Sequence, residues 1–173
     1  MKFYDVPIKV NTDPSLNASD LLLERVAIDP SHPLFSRQNK DGTWRNVTSQ
    51  EFLDEVKSLA KGLIAQGIKP GDAVAIMSRT RYEWTMIDFA IWFAGAIGVP
   101  IYESSAASQI EWILTDSDAI ALFIEDDEHL ERFNKVKSSA PKVKHVWRIE
   151  SKDFSGLHQD GEKIGDDQLE KAR

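Results

Sequence analysis

The sequence predicts an α/β fold: a mainly parallel sheet with helices on both faces, preceded by a short antiparallel hairpin. Two observations carry this prediction. Short apolar runs without alternation, typical of strands buried on both faces, take turns with longer stretches of helical periodicity. Turn and helix-cap signals follow directly after each run, so the connections between elements are short. Such an alternation of strands and helices builds parallel sheets through right-handed crossovers.

Residues 1–33 are predicted to be an irregular segment punctuated by four prolines, Pro14 among them. One apolar run at residues 21–23, continued by Val26, indicates a short helix within it. Ser19 or Asp20 is the expected N-cap of that helix.

The α/β subdomain is predicted to span residues 34–150, and it opens with a hairpin. Residues 34–38 and 43–47 flank the tetrapeptide Asn39-Lys40-Asp41-Gly42, in which Asp-Gly is a strong signal for a β-hairpin turn. Two short antiparallel strands are therefore expected.

The first long helix of the subdomain is predicted to begin at Thr48, which forms a capping-box pattern with Glu51. An apolar stripe at helical spacing follows, and the polar residues between its members, Ser58 and Lys61 included, are expected to face water. Gly67 stands where a left-handed C-cap belongs.

The predicted parallel strands begin after the turn Pro70-Gly71-Asp72. Residues 73–77 form the first apolar run, and three further runs are interpreted as strands of the same buried kind: residues 99–102, 119–124 and 144–149. Helices at about residues 81–97, 106–116 and 127–138 are expected to join them. Trp84, Trp92 and Trp112 lie at core-type spacing on these helices and are interpreted as packing groups first.

Residues 151–173 are predicted to be a polar, irregular tail. They contain three glycines and no sustained apolar stripe, so we expect at most one frayed helical turn near residues 166–171.

The candidate site lies where the predicted strands end, because open α/β folds bind ligands at the carboxyl edge of the sheet. Arg79 and Arg81 follow the first strand and are candidates for contact with an anion, and Thr80 between them is the expected N-cap of the next helix.

The loop Tyr102-Glu103-Ser104-Ser105 follows the second predicted strand and meets the same edge. Ser105 is expected to cap the helix after it. A purely structural role for this loop is the competing interpretation.

Other patterns do not indicate a site. The glycines at 62 and 67 have P-loop spacing, but they fall in and after a helix and lack the required Lys-Ser/Thr. The four histidines share no metal-binding spacing. The acidic run at residues 125–128 precedes a predicted helix, where the helix dipole favours negative charge.

Several short sequence motifs occur in a characteristic order, and each alone is weak evidence for a family. They are Asp41-Gly42-Thr43-Trp44, Thr48, Lys61-Gly62-Leu63, Gly67-Ile68-Lys69-Pro70-Gly71-Asp72, Ser78-Arg79, Glu83-Trp84, Gly95-Ala96 and Val99-Pro100-Ile101-Tyr102. With them the chain resembles the N-terminal lobe of the AMP-forming acyl-CoA synthetases, the fatty-acid CoA ligases of the adenylate-forming superfamily. The resemblance covers most of residues 34–149 and is closest to the long-chain branch.

This resemblance implies a parent enzyme that uses ATP, Mg²⁺ and coenzyme A to convert a long-chain fatty acid into acyl-CoA. The carboxylate attacks the α-phosphate of ATP, pyrophosphate leaves, and the thiol then displaces AMP. The family's phosphate loop, adenine motif, hinge and catalytic lysine would lie beyond Arg173. The chain is therefore expected to be a truncated N-terminal scaffold without catalytic or metal-binding residues, which binds no cofactor and is inactive alone. In similar enzymes the loop at residues 102–105 runs near the path of coenzyme A and the acyl group.

Partners follow from composition and from the resemblance. A net charge of −7 without clustered Lys and Arg argues against nucleic acid, and the absence of cysteine excludes disulfides and thiolate sites. The first residues lack the apolar core of a secretory signal, so a cytoplasmic location is expected. Fatty acid, coenzyme A and the rest of its own chain are the expected partners, and a homodimer and peripheral association with a membrane stay open.

Two alternatives also stay open. A naturally short protein of this fold could act as a non-catalytic interaction or regulatory module. Luciferase-like enzymes and peptide-synthetase adenylation domains keep the adenylation chemistry with another acceptor. Acyl chain length, acceptor, oligomeric state, regulation and continuation of the gene beyond Arg173 cannot be predicted from these residues.

Overall fold

The computed structural model describes residues 3–7, 13, 16–39 and 41–173. Predictions that involve Pro14 and Lys40 lie outside these residues. In chain order the elements are α1 (Ala18–Ile28), β1 (Pro33–Gln38), β2 (Trp44–Thr48), α2 (Ser49–Ala65), β3 (Ala73–Met77), α3 (Tyr82–Phe93), β4 (Ile97–Ile101), α4 (Ala107–Asp116), β5 (Ala121–Ile124), α5 (Asp127–Asn134), a 3₁₀ turn (Lys137–Ser139), β6 (His145–Arg148), α6 (Lys152–Gly161) and α7 (Asp166–Ala172).

The predicted fold class is confirmed. Strands β4, β3, β5 and β6 form a parallel sheet in that order, and β1 pairs with β2 as the antiparallel hairpin. In the parallel register Val74 lies between Gly98 of β4 and Ala121 of β5. Sequence neighbours β3 and β4 are joined by α3, and β5 then returns to the other side of β3.

The two faces of β3 belong to two separate hydrophobic cores, as the two-residue period of a strand requires. Val74 and Ile76 face a core shared with α1, α2, α3, α6 and α7. Ala75 and Met77 face a second core with α4 and α5. The expectation of helices on both faces of the sheet is confirmed.

Helix α3 is the apolar middle of the thicker side. Ile87, Ala90 and Ile91 are fully buried, and the helix packs chiefly against α2, with further contacts to α1, β3 and β4. It therefore lies between the sheet and an outer helical layer.

The interpretation of β4 as a strand buried on both faces is wrong. Within the described residues β4 is an edge strand, with Ile97 at 56% exposure and Pro100 exposed. Pro100 could have indicated this, because a proline cannot donate a ladder hydrogen bond and is found mainly in edge strands.

The expectation of an irregular tail is also wrong. Residues 151–173 fold into α6 and α7, which bury Leu157 and Leu169 to 2% and 1% exposure. Helix α6 crosses α2 at Gly62 and Gly161, so closely that a Cβ on Gly62 would stand 2.2 Å from the carbonyl oxygen of Leu157. Two buried leucines and the close contact at two glycines therefore pack this segment against α2, although its sequence is mostly polar.

Docking of α6 changes the surroundings of α2. Ser58 and Lys61, expected to face water, are half-buried, because the Ser58 hydroxyl lies 2.9 Å from Nδ1 of His158 and Lys61 pairs with Asp166 at 2.7 Å.

Three predicted N-caps are wrong. Helix α1 is capped by Asn17, whose side chain accepts from the backbone of Ser19 at 2.9 Å, in place of Ser19 or Asp20. Helix α3 begins at Tyr82, so Arg81 instead of Thr80 is at the N-cap position, and it makes no side-chain cap bond. At α4 the N-cap is Ala106 instead of Ser105, and Gln109 accepts from the Ala106 N–H at 2.9 Å.

Other local predictions are confirmed. The Thr48 hydroxyl accepts from the Glu51 N–H at 3.2 Å, and Glu51 accepts from the Thr48 N–H at 2.7 Å. Gly67 ends α2 with a φ of +90°, the left-handed value that favours glycine. Asp126 caps α5.

The exposure of the three helical tryptophans differs from one to the next. Trp112 is 65% exposed, which corrects its interpretation as a packing group, while Trp84 and Trp92 are half-buried. No helix in the described part of the chain combines the length and apolar composition needed to cross a membrane.

Candidate functional site

The four parallel strands end at one edge of the sheet and bring four loops together there. Residues 78–81 follow β3, residues 102–105 follow β4, residues 125–126 follow β5, and residues 149–150 follow β6. The edge predicted to carry the site is therefore a continuous surface.

A buried carboxylate, Glu125, ties two of these loops together. Its side chain is 3% exposed and accepts from the Arg79 backbone N–H at 2.9 Å, while Nη2 of Arg79 donates to it at 2.7 Å. Arg81 approaches the same carboxylate at 3.4 Å, and the Ser78 hydroxyl at 3.3 Å. One glutamate thereby fixes the chain as it leaves β3.

The network continues outward from Arg81. Its guanidinium donates to Glu83 at 2.8 Å and to Glu150 at 2.7 Å. Glu83 also accepts from Arg37 of the hairpin at 2.8 Å, so the hairpin, the β3–α3 loop and the end of β6 share one set of ion pairs. Arg37 in turn stacks 4.0 Å from the ring centre of Tyr82.

The charge of Glu125 is strongly favoured. Hydrogen bonds from Arg79 hold the pKa of the Glu125 carboxyl at about 2, against the opposing effect of burial. The group is thus ionised throughout the neutral range and acts as an anchor for two arginines.

An open groove of about 400 Å³ lies beside this network, between the ends of β3 and β4. Its lining mixes hydroxyl, aromatic and aliphatic groups: Ser78, Thr80, Trp84, Pro100, Ile101, Tyr102 and Glu103. Tyr102 is 81% exposed at its rim, an aromatic ring placed where a ligand could lie against it.

The loop at residues 102–105 is held in place from behind. Arg132 of α5 donates to the carbonyl oxygens of Glu103 and, at 3.3 Å, of Ser105. Ser105 itself is buried, so the loop presents Tyr102, Glu103 and Ser104 from a fixed base.

A smaller hollow of about 260 Å³ adjoins the other side of the same loop, with Arg79, Arg132 and His129 among its lining residues. His129 is 5% exposed, and its Nδ1 lies 2.7 Å from Asp126. Asp126 thus serves both as the cap of α5 and as the partner of this ring.

The residues predicted for the site lie at one edge of the sheet, and both candidate arginines there pair with a carboxylate of the chain itself. The guanidinium groups of Arg79 and Arg81 are taken up by carboxylates of the chain itself, so a ligand anion would have to compete with Glu125.

The sequence reasoning missed two structural residues. The sequence pattern predicted that Glu125 belongs to the acidic residues that cap α5. Its place directly after a wholly buried strand was the signal that its carboxylate is buried and must be paired. Arg132 gave no signal, because its contact with the loop joins positions far apart in sequence. No group of three or more His, Cys, Asp or Glu in the described residues could hold a metal ion.

A family model and a curated relative both match most of this chain. Residues 22–172 match the family model described as AMP-binding enzyme. Long-chain-fatty-acid–CoA ligase FadD15 of Mycobacterium bovis is 38% identical over 149 residues, which are 86% of this chain and 25% of that protein. The chain therefore spans about a quarter of the length of that relative.

Solved structures share the fold. A long-chain-fatty-acid-CoA ligase from Archaeoglobus fulgidus superposes with a TM-score of 0.75 at 21% identity, covering 91% of this chain and 32% of the other. A protein from Rhodopseudomonas palustris superposes with a TM-score of 0.71 at 26% identity, covering 82% of this chain and 36% of the other.

Proposed function

This chain belongs to the AMP-binding enzyme family, and from that premise we propose that it is the N-terminal part of an ATP-dependent, AMP-forming ligase that converts a long-chain fatty acid into acyl-CoA through an acyl-adenylate. The observation that carries the proposal is the 38% identity to a long-chain-fatty-acid–CoA ligase along 86% of the chain.

Within that enzyme the proposed role of this segment is to shape the acyl and coenzyme A side of the active-site cleft. The groove of about 400 Å³ supplies an aromatic and aliphatic wall, and Tyr102, Glu103, Ser104 and Ser105 form its outer loop. Glu125 and Arg132 hold this wall rigid, which suits a surface that positions a substrate without reacting with it.

Arg79 is the proposed contact for an anionic group that enters the edge. Its side chain is 66% exposed, so it can face a ligand while its pairing with Glu125 fixes its direction. Arg81, half-buried among three carboxylates, is proposed to act mainly by holding the loop.

We propose that ATP and Mg²⁺ bind outside the described residues of this segment. Metal-binding donors do not gather in them, and the glycine-spaced stretch at residues 62–69 lies within and after α2 instead of between a strand and a helix. We assign both to the rest of the protein, and the segment alone is expected to be inactive. The whole enzyme is proposed to work in the cytoplasm, at most peripherally at a membrane.

The proposal is tested on the protein made from the complete reading frame that contains this sequence. Purified protein is incubated with ATP, Mg²⁺, coenzyme A and palmitate, and AMP and palmitoyl-CoA are quantified, with each substrate omitted in turn. Equal amounts of AMP and palmitoyl-CoA, lost on every omission, support the proposal.

Formation of ADP in place of AMP, or no product with any fatty acid from short to long chain, would refute it. Adenylate that forms but passes only to an acceptor other than coenzyme A would replace the ligase by another adenylate-forming enzyme.

A further inference from the structure

The contact between α2 and α6 contains a histidine, His158. The two helices cross at Gly62 and Gly161, so closely that a Cβ on Gly161 would stand 2.7 Å from the backbone nitrogen of Gly62. Nδ1 of His158 lies 2.9 Å from the Ser58 hydroxyl of α2, and its ring stands nearly perpendicular to that of Phe154, with the ring centres 5.7 Å apart. The histidine is therefore part of the surface through which α6 packs.

This contact suits the neutral form of the ring. A neutral imidazole with its proton on Nε2 accepts the Ser58 hydroxyl hydrogen at Nδ1, whereas a protonated ring donates at both nitrogens. Burial lowers the pKa of His158 below its ordinary 6.5, and the charge of Glu55 opposes this effect. Protonation of the ring is therefore less favourable in the packed helix than in the unfolded chain.

Charges of both signs line an open hollow of about 380 Å³ beside the ring, between α2, α6 and α7. Lys61 and Asp166 neutralise each other at 2.7 Å, and Lys57 disfavours a second positive charge nearby. Asp54 and Glu162 favour such a charge, but both are exposed, so water screens them from the ring.

Strand β6 also packs on α6, and its ionisable groups have other neighbours. Arg148 reaches Asp127 at 2.5 Å and Asp153 at 3.5 Å, and His145 stacks on Trp147. Burial is thus the main influence on the charge of His158.

We propose that α6 is a pH-sensitive part of the fold, which loosens from α2 when His158 gains a proton. Because the packed state favours the neutral ring, the contact is complete above pH 6.5 and weakens as the pH falls below that value. Residues 149–151 join β6 to α6, and Glu150 among them accepts from Arg81 at 2.7 Å. Acidification therefore also loosens one end of the ion-pair network at the sheet edge.

Hydrogen–deuterium exchange of the protein from the complete reading frame tests the proposal, with mass spectrometry of peptides from α6. Samples are compared at about pH 7.5 and about pH 5.5, on either side of the ordinary histidine pKa. After correction for the intrinsic pH dependence of exchange, protection of residues 152–161 is expected to fall roughly twofold or more at the lower pH. His158→Gln should abolish this difference. His32→Gln is the matched control and should preserve it, because the side chain of His32 is 46% exposed.

The slow exchange of the C2 hydrogen of histidine, followed over a pH series, reports the titration of His158 directly. We expect its midpoint to lie below the ordinary value of 6.5. A midpoint at or above that value overturns the proposal. Equal protection of α6 at both pH values refutes it as well, and so does a loss of protection at low pH that persists in His158→Gln.

Discussion

Glu125 is the residue on which the carboxyl edge of the sheet depends. It is 3% exposed and receives hydrogen bonds from the backbone and the side chain of Arg79. A buried carboxylate of this kind stabilises the fold only while it is charged, because its partners are cations and N–H donors.

Glu125→Gln is expected to destabilise the chain at neutral pH. The folded pKa of about 2 lies below the ordinary 4.5, so the charge contributes stability above pH 4.5 that is lost as the pH falls toward 2. The shift corresponds to an expected loss of about 3 kcal/mol in the free energy of unfolding, and urea denaturation of both proteins is the measurement that checks it.

The difference between wild type and Glu125→Gln should therefore narrow between pH 4.5 and pH 2, and a difference that is constant with pH would contradict this account. Glu150→Gln is the control. Glu150 is 52% exposed and its pair with Arg81 should be worth about 1 kcal/mol or less.

Tyr102 tests the proposed ligand wall in the complete enzyme. Because its ring is 81% exposed, Tyr102→Ala should leave the melting temperature unchanged. Loss of one aromatic contact is expected to raise the KM for coenzyme A or for the fatty acid roughly three- to tenfold. Trp112→Ala removes an exposed aromatic ring from α4 and should change neither KM.

At the scale of single elements, the contact of α2 with α6 is the feature that the sequence did not predict. Gly62→Ala should be strongly destabilising, because the new methyl group would stand 2.2 Å from the Leu157 carbonyl oxygen. We expect a loss of about 1–3 kcal/mol, typical of overpacking.

Gly156→Ala is the matched control for that variant. It lies in α6 with nothing within 4 Å of the added Cβ, so it should be neutral or stabilising. Equal effects of the two substitutions would mean that α6 does not pack on α2 as described.

Helix α3 gives a second test of the layer order. Ile91 is fully buried, so Ile91→Ala should cost about 2–5 kcal/mol in the free energy of unfolding. Ile97→Ala, at a position 56% exposed on the edge strand, should cost far less. Similar losses at both positions would contradict the placement of α3 between the sheet and the outer helices.

The elements that were predictable have strong local signals. The capping box at Thr48, the glycine at 67 and the apolar run of β3 each act within a few residues, and all three were found in sequence. Helix α6 was missed because its burial depends on Gly62, about a hundred positions away, and contacts of that kind leave no local pattern.

For the molecule as a whole, fold and family could be predicted from the order of the motifs, and the site only in outline. Placing residues 102–105 at the sheet edge needed only strand order, whereas the roles of Glu125 and Arg132 depend on contacts between residues far apart in sequence. The chain spans 25% of the length of its mycobacterial relative, so the activity of the whole protein is a proposal.

The central claim is that this segment serves an enzyme that forms an acyl-adenylate. The most direct measurement is the exchange of labelled pyrophosphate into ATP by the protein from the complete reading frame, with Mg²⁺ and palmitate and without coenzyme A. The account predicts exchange that depends on palmitate, because adenylation is reversible before the thiol arrives. Absence of exchange with every fatty acid tried, in protein that is folded and pure, would contradict it.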